Sequence, residues 1–286
     1  MKSIALAVVV ALSLLASGAI AQRAPDTLAR IKSAKAINVA FSGDSLPFSY
    51  VAEGNKPAGY SIDICQRVIA AIGQAVGEPN LKVNWIVGTA AERVQMVASG
   101  KADMDCANTT MTLTRLKDVD FSNLIFVDGG GFLVAADAPI NRFTDLSGKK
   151  IAVIKGTTTE KRLAEAMKTH LVNAQVTTIS DGGEGVALLG SGAVDAFAGD
   201  KIKLIGLAAQ AKDPNKFGLL MEDLSFEPYA LALPRGDPAM RLEVNKALTK
   251  IYVSGDIDGI FRQWLGKLGR PSGLLAAMYL LNAIPE

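Results

Sequence analysis

Residues 94–108 read "VQMVASGKADMDCAN", and the same order of features returns at residues 186–200 as "VALLGSGAVDAFAGD". Each stretch has a helical apolar pattern, a Ser-Gly stop, an aspartate three residues after the glycine, and then an apolar strand. The offset between the copies is 92 residues, so Asn108 and Asp200 are equivalent strand ends. Because ligands bind outside the carboxyl ends of strands in open α/β sheets, these two side chains are candidates for a binding site.

Strand and helix patterns alternate on both sides of this repeat, which predicts an α/β fold with two similar lobes built on mostly parallel sheets. The first series consists of a strand at 36–41, a helix at 57–77, a strand at 81–88, a helix at 89–100 and a strand at 102–108. The second consists of a strand at 146–156, a helix at 157–170, a strand at 174–180, a helix at 183–192 and a strand at 194–199.

The composition of the chain limits its class. Its 286 residues, 49% apolar and 20% charged, can bury one large core or two medium ones, which excludes a disordered or coiled chain. The formal charge of +2 and the lack of a basic cluster argue against nucleic acid as a partner. We expect no metal or cofactor, and we interpret the lone histidine, His170, as a solvated residue at the end of a charged helix.

The first 21 residues are predicted to be a secretory signal. Lys2 precedes an apolar run from Ile4 to Leu15, and Ala19-Ile20-Ala21 precedes Gln22, so cleavage is expected after Ala21. The alternative is an uncleaved anchor, but the run is shorter than the roughly 20 apolar residues that span a bilayer.

Two cysteines, Cys65 and Cys106, would then lie in an oxidising compartment where a disulfide can persist. Cys65 belongs to the apolar stripe of a predicted helix and Cys106 to an apolar strand, so both are also suited to be small core residues. The sequence leaves the two alternatives open, because it does not give the distance between their Cα atoms.

The stretch "DCANTTMTLTR" at residues 105–115 begins as a buried strand, then offers hydroxyl and amide side chains, and ends on Arg115. Taken alone, Arg115 is typical of a weak surface ion pair, and Asp200 of a helix cap. Together they place opposite charges at matched ends of the two lobes. A zwitterion requires this arrangement, a guanidinium for its α-carboxylate and a carboxylate for its α-ammonium, so we predict a free amino acid as ligand.

The stretch "GTTTE" at residues 156–160 lies between a predicted strand and a predicted helix. A capping box of Thr157 with Glu160 explains these residue types by itself. The free amides of a helix start, with hydroxyls beside them, are also suited to a carboxylate or phosphate. We expect both roles, since a capped helix can still present amides to a ligand.

Several stretches in this order resemble a known family: the type II periplasmic solute-binding proteins of amino-acid ABC transporters (family 3), which include the glutamate/aspartate-binding proteins. They are "DSLPFSY" (44–50), "AGYSIDIC" (58–65), "SGKADMDCANTTMTLTR" (99–115), "VDFSNLIFVDGGGFLV" (119–134), "DLSGKKIAVIKGTTTE" (145–160) and "VDAFAGD" (194–200). The resemblance implies a monomeric periplasmic protein with two lobes and two hinge crossovers, whose partners are a free amino acid and the membrane permease of an ABC importer.

The resemblance also assigns roles to six positions, all of which have the expected residue type here. At the ligand α-carboxylate we expect the guanidinium of Arg115, the hydroxyl of Thr110 and the amides of Thr157 and Thr158. Those expected at the α-ammonium are Asp200 and Asn108.

The side-chain pocket departs from the family. Arg93 matches an arginine of the glutamate/aspartate binders, but their first-strand arginine falls at Ser42 and a histidine of their second lobe falls at Gly182. Ser45 is also expected to line this pocket. Neutral amino-acid binders often use aromatic side chains at the positions of Ser45 and Ala90, and these are missing as well.

Arg93 therefore has two interpretations. It points into the cleft as an unpaired guanidinium, or it forms a surface pair with Glu92 or a contact that stabilises its lobe. The first predicts a ligand with a polar or acidic side chain, such as glutamate, aspartate, glutamine or asparagine.

The resemblance places the first lobe at residues 36–127 plus 229–286 and the second at 134–222. Hinges are expected near 126–135 and 223–234, and the C-terminal tail is expected to pack on the first lobe.

These features predict an extracytoplasmic binding protein that closes over an amino acid by hinge motion. The alternative is an enzyme on the same fold, similar to cyclohexadienyl dehydratase, in which Asp44 or Asp200 would do acid/base work. A receptor's sensing domain would need a second membrane segment or an output domain, and we expect neither.

Overall fold

The computed structural model describes residues 26–285, so the predicted secretory signal lies outside the described part. The predicted α/β alternation is confirmed, since each helix and strand expected in the two series is present. The helices are α1 (Thr27–Ala34), α2 (Tyr60–Val76), α3 (Ala90–Ala98), α4 (Thr158–Thr169), α5 (Gly182–Gly190), α6 (Lys201–Ala208), α7 (Pro238–Val253), α8 (Asp256–Leu265) and α9 (Gly273–Asn282). The strands are β1 (Ala36–Phe41), β2 (Asp44–Ser45), β3 (Ser49–Ala52), β4 (Lys56–Ala58), β5 (Lys82–Val87), β6 (Met104–Cys106), β7 (Val119–Ala135), β8 (Lys150–Ile154), β9 (Gln175–Ile179), β10 (Ala196–Asp200), β11 (Phe217–Leu219) and β12 (Ser225–Pro234).

Two parallel groups of strands lie on either side of a long antiparallel pair. The sheet order is β5-β1-β6-β12-β7-β10-β8-β9, with β11 beside β7. We call β1, β5 and β6, with the small sheet β2-β3-β4 and helices α2 and α3, the first unit. The second unit is β8, β9 and β10 with α4, α5 and α6. The predicted hinges at 126–135 and 223–234 fall in β7 and in β12 with the two residues before it, and both strands connect the units. Their bending stays a prediction.

The core of the first unit depends on the apolar stripe of α2. Ile62, Cys65, Ile69 and Ile72 are three or four residues apart, so they share one face of the helix, and all are buried. The helix ends at Gly77, whose φ of 78° is in the left-handed region that favours glycine. Helix α9 packs its Leu275, Met278 and Tyr279 into the same core, as expected for the tail.

Cys65 of α2 and Cys106 of β6 form a disulfide, with their Cα atoms 6.1 Å apart. This resolves the alternatives that the sequence left open, and both residues are fully buried as well. A cross-link between residues 41 apart in sequence restricts the unfolded chain and typically contributes about 2 to 4 kcal/mol. It ties α2 to the strand that leads into the candidate site.

Within residues 26–285, no helix has the length and apolar character required to cross a bilayer. His170 follows α4 and is exposed, as expected, with its ring edge-on to Phe143 at 5.6 Å.

Candidate functional site

A cleft of about 380 Å³ opens where the carboxyl ends of β6 and β10 meet between the two units. Its position follows from the repeat, because parallel strands present their carboxyl ends at one edge of a sheet. All eight predicted site residues line it. They are Ser45, Arg93, Asn108, Thr110, Arg115, Thr157, Thr158 and Asp200.

The two repeat positions contact each other across the cleft. The amide Nδ2 of Asn108 donates to Oδ2 of Asp200 at 3.1 Å. Oδ2 of Asp200 also accepts from the Tyr229 hydroxyl at 2.6 Å, and its Oδ1 accepts from the Thr159 hydroxyl at 3.1 Å. Three donors therefore fix the orientation of this carboxylate. Asn108 acts as a donor here, whereas the resemblance implies an acceptor role with ligand.

Arg115 begins a short 3₁₀ turn, Arg115–Lys117, after the segment 107–114 that follows β6. Its Nη1 donates to the Thr110 carbonyl at 2.7 Å, and among residues 26–285 no carboxylate lies within 4.0 Å of its guanidinium. Burial, followed by the nearby charge of Arg93, lowers the pKa of Arg115 below its usual value, although an arginine stays charged. The guanidinium thus retains donors for an anion in the cleft.

The hydroxyls of Thr110 and Thr158 come from different units and are 3.4 Å apart. Both donate to the same oxygen, Oε2 of Glu227 in β12, at 2.6 and 2.8 Å. Burial, followed by the charge of Asp200, raises the pKa of Glu227. The two hydroxyls predicted to hold a ligand carboxylate are therefore arranged so that they bind one carboxylate oxygen together.

The start of α4 differs in detail from the predicted capping box. The Thr157 hydroxyl accepts from the Glu160 amide at 3.2 Å, as a cap should. The Glu160 carboxylate, however, accepts from the amide of Gly156 at 2.7 Å, one residue before the cap. The amide of Thr158 is in the first turn, where N–H groups have no partner within the helix.

Of the interpretations of Arg93, the contact that stabilises its lobe agrees with the structure, whereas the unpaired guanidinium and the surface pair with Glu92 do not. Its Nε donates to Asp105 Oδ1 at 2.9 Å in an ion pair whose side chains are 3% and 0% exposed, so the guanidinium is not unpaired. Its other nitrogens donate to the Gly88 carbonyl and the Thr109 hydroxyl. Glu92, the expected surface partner, instead caps α3 through Thr89. Arg93 lines the cleft, but much of its hydrogen-bonding capacity is used by the first unit.

The ion pair of Asp44 with Lys203, unlike that of Arg93 with Asp105, joins the two units. Asp44 Oδ2 accepts from the Gly182 amide at 2.8 Å and from Lys203 Nζ at 3.3 Å, while its Oδ1 accepts from the Ser42 hydroxyl at 3.0 Å. Burial would raise the pKa of Asp44, but Lys203 and these hydrogen bonds outweigh it, so its pKa is lowered. Ser45 is buried and contacts Ser42, with 2.8 Å between their hydroxyls.

Another carboxylate, Asp128 in β7, lies behind Asp200. It accepts from the amides of Gly129 and Ile202, and its Oδ2 lies 3.2 Å from the Tyr229 hydroxyl, whose single proton points to Asp200 at 2.6 Å. Burial, followed by the charge of Asp200, raises the pKa of Asp128 to about 7. Asp128, Glu227 and Tyr229 were missed by the sequence analysis, in which their strands were predicted only to be crossing segments.

This raised pKa predicts a stability that depends on pH. In the unfolded chain Asp128 loses its proton near pH 3.9, so between about pH 4 and 7 the native state binds more protons. The free energy of unfolding should therefore fall as pH rises, by about 1.4 kcal/mol between pH 6 and 8 from this group. Chemical denaturation at both pH values measures the fall.

The variant Asp128→Asn should lose this part of the fall, and Asp118→Asn, a change at an exposed aspartate, should keep it. An equal fall in Asp128→Asn and the unmodified protein would contradict the assignment to Asp128.

Comparison with known proteins gives consistent matches. Residues 37–267 match the sequence profile described as bacterial extracellular solute-binding proteins, family 3. The chain is 34% identical over 263 residues to the L-glutamate/L-aspartate-binding protein of Pseudomonas aeruginosa, covering 92% of this chain and 87% of that protein. It is 30% identical over 244 residues to the glutamate/aspartate import solute-binding protein of Escherichia coli, covering 85% and 81%. Among solved structures, an ancestral arginine-binding protein bound to glutamine superposes with a TM-score of 0.72 at 27% identity, covering 81% and 98%.

Proposed function

Because the chain belongs to the bacterial extracellular solute-binding proteins, family 3, we propose that it binds a free amino acid in the cleft and delivers it to the membrane permease of an ABC importer. The resemblance seen in the sequence is thereby confirmed. The relatives named above are binding proteins, which favours this function over an enzyme on the same fold. The protein acts as a monomer in the periplasm in this proposal.

One observation carries the proposal: Thr110 and Thr158 jointly bind a carboxylate oxygen beside Arg115. A ligand α-carboxylate would replace Glu227 as the acceptor of these two hydroxyls and would add the donors of Arg115. Asp200, held by Asn108 and other donors, would receive the α-ammonium. Each charge of the zwitterion thus has an opposite charge in the cleft.

Closure follows from the division of these groups between the units. Arg115 and Thr110 belong to the first and Thr158 and Asp200 to the second, so a ligand contacts all of them only when the cleft is shut. The closed form therefore binds the ligand more tightly than the open form. This difference in binding free energy drives closure. In this proposal the first lobe is 36–127 plus 229–286, the second is 134–222, and the hinges are 126–135 and 223–234.

A binding protein stabilises its native state with ligand and performs no chemistry. We expect one or more of the twenty amino acids to raise the melting temperature in a concentration-dependent way, and mass spectrometry to recover them unchanged. No shift with any amino acid would contradict the proposed function. Conversion to a product, absent from a protein-free control, would favour the enzyme.

A further inference from the structure

Asp44 and Lys203 line the same cleft from opposite units and form an ion pair at 3.3 Å. Asp44 is in β2, and Lys203 is in α6 with a side chain only 11% exposed. Nothing in the zwitterion scheme uses this pair, because Arg115 and Asp200 satisfy the two charges of the ligand backbone. The pair is therefore available to the ligand side chain.

The location of the pair supports this role. Asp44 accepts hydrogen bonds from Ser42 and Gly182. These are the two positions at which the resemblance implies an arginine and a histidine in the glutamate/aspartate binders. Here neither position supplies a cation. The nearby cation is Lys203, and it already has Asp44 as a partner.

Charge balance then limits the ligand. Three cationic side chains line the described cleft: Arg93, Arg115 and Lys203. Arg93 is paired with Asp105 and Lys203 with Asp44, which leaves only Arg115, the expected partner of the α-carboxylate. A side-chain carboxylate would find no uncompensated cation and would be repelled by Asp44.

We infer that Asp44 and Lys203 select the ligand side chain, and that they favour a carboxamide, as in glutamine or asparagine, over the corresponding carboxylate. This inference rests on the proposed function. Lys203 has two N–H groups left for an amide oxygen, and Oδ1 of Asp44 can still accept from an amide nitrogen. One pair thus satisfies both ends of a carboxamide, whereas a carboxylate offers nothing to donate to Asp44. The preference differs from the ligands in the names of the two relatives.

Calorimetric titration with L-glutamine, L-asparagine, L-glutamate and L-aspartate tests the inference. Of glutamine and asparagine, the one that binds the unmodified protein more tightly should bind at least about tenfold more tightly than the corresponding acid, glutamate or aspartate. A difference of this size is typical of one favourable charged contact. Asp44→Asn should shift this ratio toward the acid by about tenfold or more, because it frees the charge of Lys203. Lys203→Met should shift it the other way, because it leaves Asp44 unpaired.

The chain offers a matched control on the same helix. Lys201 pairs with Asp223 at 2.5 Å, and neither lines the cleft. Lys201→Met and Asp223→Asn make the same changes of charge and should leave the ratio of amide to acid affinity unaltered. Equal ratio changes in the two pairs would indicate a general charge effect and overturn the inference.

The result with the unmodified protein also decides the matter if a variant fails to fold. Binding of an acid as tightly as its amide overturns the inference but leaves the proposed function intact. A protein that binds no amino acid at all overturns both.

Discussion

Replacement of Arg115 by alanine is expected to weaken amino-acid binding by more than about 3 kcal/mol, or over roughly 100-fold in Kd, while the fold is retained. The ligand α-carboxylate would lose its main cationic partner and remain desolvated in the cleft. The protein itself loses little, because the Arg115 guanidinium has one hydrogen bond, to the Thr110 carbonyl, within the described residues. Calorimetry with a ligand found in the thermal-shift screen measures the change.

Lys117 offers a matched control, because it ends the same 3₁₀ turn and is exposed. Lys117→Ala removes one positive charge and should leave Kd within about twofold, since exposed charges are largely screened. Arg115→Lys should fall between the two, because an ammonium keeps the charge but lacks the bidentate fork. Unchanged affinity in Arg115→Ala would remove Arg115 from the site.

The part of the site that was predictable from sequence is the part built on local patterns. The Ser-Gly stops and following strands set the ends of β6 and β10, and parallel strands bring those ends to one edge. Asn108 and Asp200, equivalent in the repeat, are accordingly hydrogen-bonded to each other. The same reasoning brought Arg115 and the start of α4 to the cleft.

The rest depends on distances and side-chain directions that no local pattern encodes. Glu227 reaches Thr110 across 117 residues of sequence, and its orientation depends on the pairing of β12 with β7, which has register shifts after Tyr229. Asp105 stands in a short strand that was predicted only to be buried, so its pairing with Arg93 was not foreseen. Alternation along a strand shows which side chains share a face, but not which charge from another element meets them.

The buried ion pair of Arg93 with Asp105 is expected to be important for stability. Asp105→Ala should lower the free energy of unfolding by about 3 to 5 kcal/mol, because it leaves the guanidinium of Arg93 buried without its counter-charge. Thr109, whose hydroxyl also donates to Asp105, would lose its acceptor. Urea denaturation of the ligand-free protein measures the loss. A change below about 1 kcal/mol would indicate that water or another group compensates Arg93.

The double variant Arg93→Met/Asp105→Leu separates the loss of a partner from the loss of packing. Replacing both charges by apolar side chains removes the uncompensated guanidinium, so the double variant should regain at least half of the stability lost in Asp105→Ala. It also separates Arg93 from Lys203 as the origin of side-chain specificity. Because Arg93 is neutralised within the first unit, the ratio of amide to acid affinity should change less in this double variant than in Asp44→Asn. A larger change in this ratio would indicate that Arg93 determines the preference for the ligand side chain. It would also mean that Asp105 does not cancel the charge of Arg93 at the ligand.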